Sequence, residues 1–159
     1  MTLPLPVMDP CYFCEIVGGR SSRWNVIEHT DLTMTVLNGR QFEIGQCIVL
    51  SSRHAPTLLD LTEREAAAIM AAARRVMHVM IEAFAPDGVL CYQNNGTGSG
   101  QEVPHFHLHV VPRRPGSDWG FGPPHVARHA MAVRAEHLDH AAVTDGKRHT
   151  VEQLRRYFA

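Results

Sequence analysis

Residues 100–113 read GQEVPHFHLHVVPR and set His105, His107 and His109 two apart along the chain. In a β-strand successive side chains point to opposite faces, so positions i, i+2 and i+4 share one. The three imidazoles then line one side, while Phe106, Leu108 and Val110 point to the other. In a helix each two-residue step turns by roughly 200°, and the histidines would converge on nothing. The apolar residues between the histidines, bounded by Pro104 and Pro112, favour the strand. The stretch predicts a short strand with an apolar core face and an imidazole-only working face.

Outward from this strand, the elements alternate between strands and a single long helix. WNVIEHTDLTMTVLN predicts two short strands around a turn at His29–Asp31, with Val26, Ile27, Met34, Val36 and Leu37 as their apolar positions. GQCIVLSSRH predicts another strand from Cys47 to Leu50, and GVLCYQNN a fourth. Between them, Thr62 with Glu65 three residues later forms a capping box. Ala66, Ile69, Met70, Ala73, Val76, Met77, Met80, Ile81 and Phe84 then follow the 3.6-residue period, until Pro86 and Gly88 end it. Arg74, Arg75, His78 and Glu82 fall on the wet face, and the methionine stripe reads as core filling. Thr150 and Gln153 form a second capping box before LRRYFA, a short helix that must dock to be stable. Strands on both sides of one long helix predict an α+β fold, with an antiparallel sheet of about five strands.

Residues 1–10 hold three prolines and read as a loose tail, and residues 11–114 form the body of one domain. Residues 115–159 add a loop-rich extension of that domain with the terminal helix. Its stretch 125–149 carries five histidines without periodicity, which read as scattered surface positions rather than a metal site.

With 159 residues and 45% hydrophobic content, the chain can build one substantial core. A net charge of −1, from 15 basic against 16 acidic residues, provides no bulk field to recruit nucleic acid or an anionic membrane. An anionic ligand must therefore be captured locally. The start, MTLPLPVMDP, lacks the basic flank and apolar run of a signal peptide, so cytoplasmic residence is expected. Cys47 and Cys91 lie in apolar strand-like runs and are expected to be inert core thiols. Cys11 and Cys14 form a C-x-x-C, which in a reducing compartment points to metal or redox work.

Three imidazoles on one face admit two functional readings, a metal site made by all three or a nucleophilic site. Burying three unneeded imidazoles beside a core would be costly, so a function is indicated. The Gly-rich stretch NNGTGSG just upstream favours the second, because flexible backbone N–H groups of this kind form anion-holding nests. No Gly-Lys-Ser/Thr follows it, so it is not a P-loop.

GQEVPHFHLHVVPR resembles the signature of the histidine triad family, His-x-His-x-His followed by two apolar residues. CYFCEIVGGR is similar to the family's N-terminal C-x-x-C segment, and IVLSSRHAPTLLDLTEREAAAI to its central strand, histidine and helix. The resemblance implies a nucleotide hydrolase acting at an α-phosphate of dinucleoside polyphosphates or nucleoside phosphoramidates, through a covalent nucleotidyl-histidine intermediate. The alternatives to it are a nucleotidyl transferase or phosphorylase of the same family, and a catalytically weak nucleotide-binding partner protein. By resemblance His107 is the nucleophile, the carbonyl of His105 fixes its proton-bearing nitrogen, and His109 contacts the phosphate oxygens. Asn94 matches a polar position near the phosphates, Gln101 belongs to the Gly-rich approach, and Asn38 sits where the family binds the ribose. Family members with the C-x-x-C bind structural zinc, which maps onto Cys11, Cys14, His54 and His105. The implied partners are a purine nucleotide and a second copy of the chain in a homodimer.

Two positions depart from the family pattern. Gln46 stands where many members have a histidine that helps polarise the triad. Glu102 replaces a Ser or Thr that assists the leaving group. A carboxylate there repels polyphosphate unless it points away, and serves as a general acid if its pKa is raised. Arg113 and Arg114 could offset it by contacting distal phosphates, or be solvated surface charge.

Overall fold

The strand that carries His107 and His109 lies inside the sheet, with a neighbour on each side, whereas His105, expected on the same strand, sits in a bend just before it. In the computed structural model, which describes residues 2–21, 23, 25–41, 43–114 and 140–158, five strands form one sheet. They are β1 (Val26–His29), β2 (Thr33–Leu37), β3 (Cys47–Ser51), β4 (Gly88–Tyr92) and β5 (His107–Arg113). Their order is β1-β2-β3-β5-β4, and every pairing is antiparallel. The α+β architecture expected from the sequence is the one observed.

Alternation gives the sheet two different faces. Leu37, Cys47, Val49, Leu108 and Val110 point to one side, where helix α2 (Glu63–Phe84) packs on them with Ile69, Ala73, Val76 and Met80. Met34, Val36, Ile48 and Leu50 point to the other and meet Phe13 and Ile16 of a short helix, α1 (Tyr12–Val17). The second face is therefore not made of imidazoles alone. Register sets Leu50 beside His107 and Ile48 beside His109, so a small apolar core abuts the histidines directly.

Helix α2 begins as its capping box predicts. Thr62 accepts from the Glu65 backbone N–H at 3.2 Å, and Glu65 accepts from the Thr62 backbone N–H at 2.8 Å. Its buried stripe is narrower than the apolar residues suggest. Met70 and Ile81 are 61% and 52% exposed, whereas Ala72 and Val79 are buried. At roughly 100° per residue, Met70 and Ile81 lie about 100° and 120° around the axis from Ile69, beyond the edge of a core-facing stripe. The helix stops at Ala85, which takes a left-handed conformation (φ 43°) and donates to Ile81 O at 3.0 Å.

The terminal helix differs from expectation. Helix α3 spans His140–Arg155, so Thr150 lies inside it rather than capping it. The Thr150 hydroxyl donates back to Gly146 O at 2.9 Å, a mid-helix bond open to any threonine. Val151 and Leu154 enter the α2 core, and the Arg155 guanidinium donates to Val26 O at 2.6 Å. Residues 115–139, with His125, His129 and His137, lie outside the described residues. His149 is exposed on α3.

One further expectation is corrected. Cys47 is buried, but Cys91 is exposed, because β4 is an edge strand beside the region that α2 covers. In the N-terminal segment, Pro4 O accepts from the Thr97 N–H at 2.9 Å. Among the described residues no helix is long and apolar enough to cross a membrane.

Candidate active site and metal centre

The three histidines are brought together with fixed roles. A carbonyl oxygen can only accept, so the nitrogen it meets must carry hydrogen. His107 Nδ1 therefore donates to His105 O at 2.7 Å, which leaves Nε2 with its lone pair. His105 Nε2 donates likewise to Ser51 O at 2.8 Å, leaving Nδ1 as the bare nitrogen. Burial lowers the pKa of all three imidazoles, with the His105 carbonyl bond opposing the shift at His107. His105 falls to about 4 and His109 to about 3, so the triad is neutral at pH 7. His107 and His109 stand edge to face, with ring centroids 5.0 Å apart.

His109 has two further neighbours. Gln46, fully buried just before β3, places its Nε2 3.3 Å from His109 Nδ1. Tyr92, opposite His109 in the β4–β5 register, stacks on the imidazole at 4.3 Å with an interplanar angle of 12°.

Four side chains meet at the other end of the triad. One ligand atom each from Cys11, Cys14, His54 and His105 lies within 4.8 Å of the other three, and the set could hold a metal ion. Cys14 Sγ is 3.1 Å from His54 Nδ1 and 3.4 Å from His105 Nδ1, and Cys11 Sγ is 3.7 Å from His105 Nδ1. Ligand bonds of about 2.3 Å to sulfur and 2.0 Å to nitrogen, at tetrahedral angles, put ligand atoms roughly 3.3–3.8 Å apart. Two of the three observed spacings fall in that range, and the 3.1 Å pair lies just below it. The bare Nδ1 of His105 points at the cysteines, because Ser51 holds its other nitrogen. Burial and the Cys11 thiol push Cys14 up to about 11.

The comparisons bear on this geometry. Residues 20–116 match the family model described as the HIT domain. The chain belongs to the HIT domain family. An adenosine 5'-monophosphoramidase of Schizosaccharomyces pombe is 30% identical to this HIT protein, over 70% of this chain and 80% of the relative. A bis(5'-adenosyl)-triphosphatase of Dictyostelium discoideum is 32% identical over 54% of this chain; the match spans 57% of that relative's length. The crystal structure of a Zn-bound histidine triad family protein from Mycobacterium smegmatis superposes with a TM-score of 0.72 at 26% identity, covering 94% of this chain and 93% of that one.

The Gly-rich loop of this HIT protein is not the open nest that its composition suggests. The N–H of Gly96 donates to Gln101 Oε1 at 2.7 Å and that of Thr97 to Pro4 O. The N–H groups of Ser99, Gly100 and Gln101 bond to carbonyls within the loop. Those amides are engaged before any anion arrives. Gln101 is a brace: its Nε2 donates to Pro56 O at 2.7 Å and Val103 O at 2.9 Å. Asn94 Nδ2 donates to Gly100 O at 3.4 Å, at the mouth of the same loop.

Asn38 follows β2, and its backbone N–H donates to Gln46 O at 2.9 Å, which ties it to the His109 side of the site. Its Oδ1 accepts from Arg40 N at 3.1 Å, as in an Asx turn. Glu102 is exposed, yet its charge acts on both His107 and Tyr92. Arg114 lies 3.8 Å from the Glu43 carboxylate and covers the Phe84 ring at 5.5 Å. Tyr92 is the site residue the sequence did not single out. Only the pairing of β4 with β5 brings it over His109, and sequence spacing carries no trace of that register.

Proposed function

We propose that this HIT protein hydrolyses dinucleoside polyphosphates or nucleoside phosphoramidates at the α-phosphate and releases a nucleoside monophosphate. The bond from His107 Nδ1 to the His105 carbonyl is the observation that carries this reading. It holds the nucleophile in one tautomer, with Nε2 unprotonated and free to attack. Relatives named as a monophosphoramidase and a dinucleoside triphosphatase support the substrate class.

In the first step the Nε2 lone pair forms a bond to phosphorus as the bond to the leaving group breaks. The leaving group departs with the bonding pair and takes a proton from water. The imidazole is now cationic, and the His105 carbonyl opposite Nδ1–H stabilises it. In the second step water attacks phosphorus, the N–P pair returns to Nε2, and a proton passes to solvent. His109 donates to the phosphoryl oxygens in both transition states. Asn94 and the Gln101-braced loop position the phosphates, and Asn38 the ribose.

Zn²⁺ is the ion that suits two thiolates and two imidazoles, held by Cys11, Cys14, His54 and His105. There it would cross-link α1 to the start of β5, a structural role away from the phosphorus. The edge strand β4 is the surface on which a second copy would pair.

His107→Ala should abolish turnover while nucleotide binding stays measurable. A fast-quenched reaction analysed at neutral or alkaline pH should show the nucleotide mass on His107, and phosphorus should keep its configuration overall. Near-wild-type turnover by His107→Ala, or inversion at phosphorus, would refute the mechanism.

A further inference from the structure

Gln46 is fully buried, and its amide nitrogen has hydrogens to donate and no lone pair to offer. The nitrogen it meets, His109 Nδ1 at 3.3 Å, must therefore be the unprotonated one. The proton of the neutral ring is then on Nε2. The Tyr92 ring lies nearly parallel to the His109 ring at 4.3 Å. Gln46 comes from the start of β3 and Tyr92 from the end of β4, the strands on either side of β5. His109 is thus gripped from both sides of its own strand.

We propose that Gln46 and Tyr92 are positioning residues that hold His109 as a neutral hydrogen-bond donor through Nε2, with its ring plane locked. A histidine at position 46 could hold either proton arrangement, because each of its nitrogens can accept or donate. An amide in this orientation allows one. The stack adds the second constraint, since the imidazole cannot rotate about its Cβ–Cγ bond without breaking a face-to-face contact. Fixing both proton and plane makes His109 a preorganised donor for charge that develops on phosphoryl oxygens. This rests on the reading above that His109 faces the phosphate.

The test reads the proton directly. Full-length protein labelled with 15N-histidine is studied at pH 7 by long-range proton–nitrogen correlation, with the His109 signals assigned from their loss in His109→Gln. The expected pattern is a single neutral tautomer with hydrogen on Nε2. Hydrogen on Nδ1, or a doubly protonated ring, would overturn the proposal. Gln46→Glu should move hydrogen to Nδ1, because a carboxylate can only accept. Should that buried charge prevent folding, Tyr92→Leu on the edge strand tests the stack. It should give mixed His109 tautomers and lower kcat about ten-fold, short of the hundred-fold or more that loss of a transition-state donor costs. An unchanged tautomer in every folded variant would refute the positioning role. Protein that hydrolyses no nucleotide yet keeps Nε2–H in the wild type and loses it in Tyr92→Leu would refute the hydrolase reading and support this one.

Discussion

Replacing Glu65 with Gln should remove a charge that ties the start of α2 to the strand end carrying His54. The Glu65 carboxylate accepts from Arg53 through both oxygens, at 2.9 and 2.8 Å, and from the Thr62 backbone N–H at 2.8 Å. Arg53 also donates to His54 O, so the pair links the helix cap to a metal-site residue. The guanidinium and the Thr62 N–H hold the carboxyl down at about 2, against roughly 4.3 for an unfolded glutamate. That gap is equivalent to about 3 kcal/mol at most. Arg53 is 51% exposed, so solvent screens much of the ion pair and about 1–2 kcal/mol remains. Gln can still close the capping box, so the loss isolates the charge. A lowered carboxyl pKa gives stability that is fully present above the unfolded value and disappears as pH falls through the folded one. Urea titrations of the two proteins at pH 7 should therefore differ in midpoint by roughly 0.5–1 M, with equal slopes. The difference should shrink below about pH 4 and vanish near pH 2. A difference that stayed constant from pH 7 to pH 3 would mean that Glu65 acts through packing and that the ion-pair reasoning is wrong.

Other sites give independent expectations. Purified protein prepared without chelators should carry about one Zn²⁺ per chain, and Cys14→Ser should lose the metal and melt at lower temperature, as elemental analysis and calorimetry would report. Glu102→Ser should raise kcat/KM for a dinucleoside polyphosphate relative to a phosphoramidate, because it removes a carboxylate whose field reaches His107; an unchanged ratio across a substrate panel would exclude that role. Thr35 Oγ1 is buried and has no hydrogen-bond partner among the described residues, so Thr35→Val should stabilise the fold by about 1 kcal/mol; a lower Tm would contradict this.

Much of this was readable before any coordinates, for a physical reason. Strand alternation is a local rule, so the spacing from His107 onward fixes which residues face the core wherever the strand lies in the sheet, while His105 joins from the bend before it. The Thr62–Glu65 box is equally local, and the helix starts there. The failures all involve facts that neighbours decide. Cys91 has the surroundings of a core residue, but it is exposed on an edge strand. Met70 and Ile81 are apolar at the right period, yet lie just outside the arc that the sheet covers. Thr150 and Gln153 have cap spacing, but Val151 and Leu154 dock as part of a helix already under way. Gly96 to Gln101 read as open amides, because nothing in the sequence shows that Gln101 and Pro4 occupy them.

The two faces of the sheet are also held by unequal means. Among the described residues, a 22-residue helix and α3 share a large apolar cluster on one; on the other, a six-residue helix meets a handful of side chains beside four metal-competent ligands. Opening of α1 is therefore a smaller event than global unfolding, and it uncovers the imidazole face while the α2 layer stays intact. In hydrogen-exchange terms the molecule has two tiers. Amides of α1 should exchange through partial opening whose free energy tracks metal supply, while those of α2 should report only the whole fold. Loss of a metal from that ligand set should then open α1 reversibly, leaving a folded scaffold that is ready to close again.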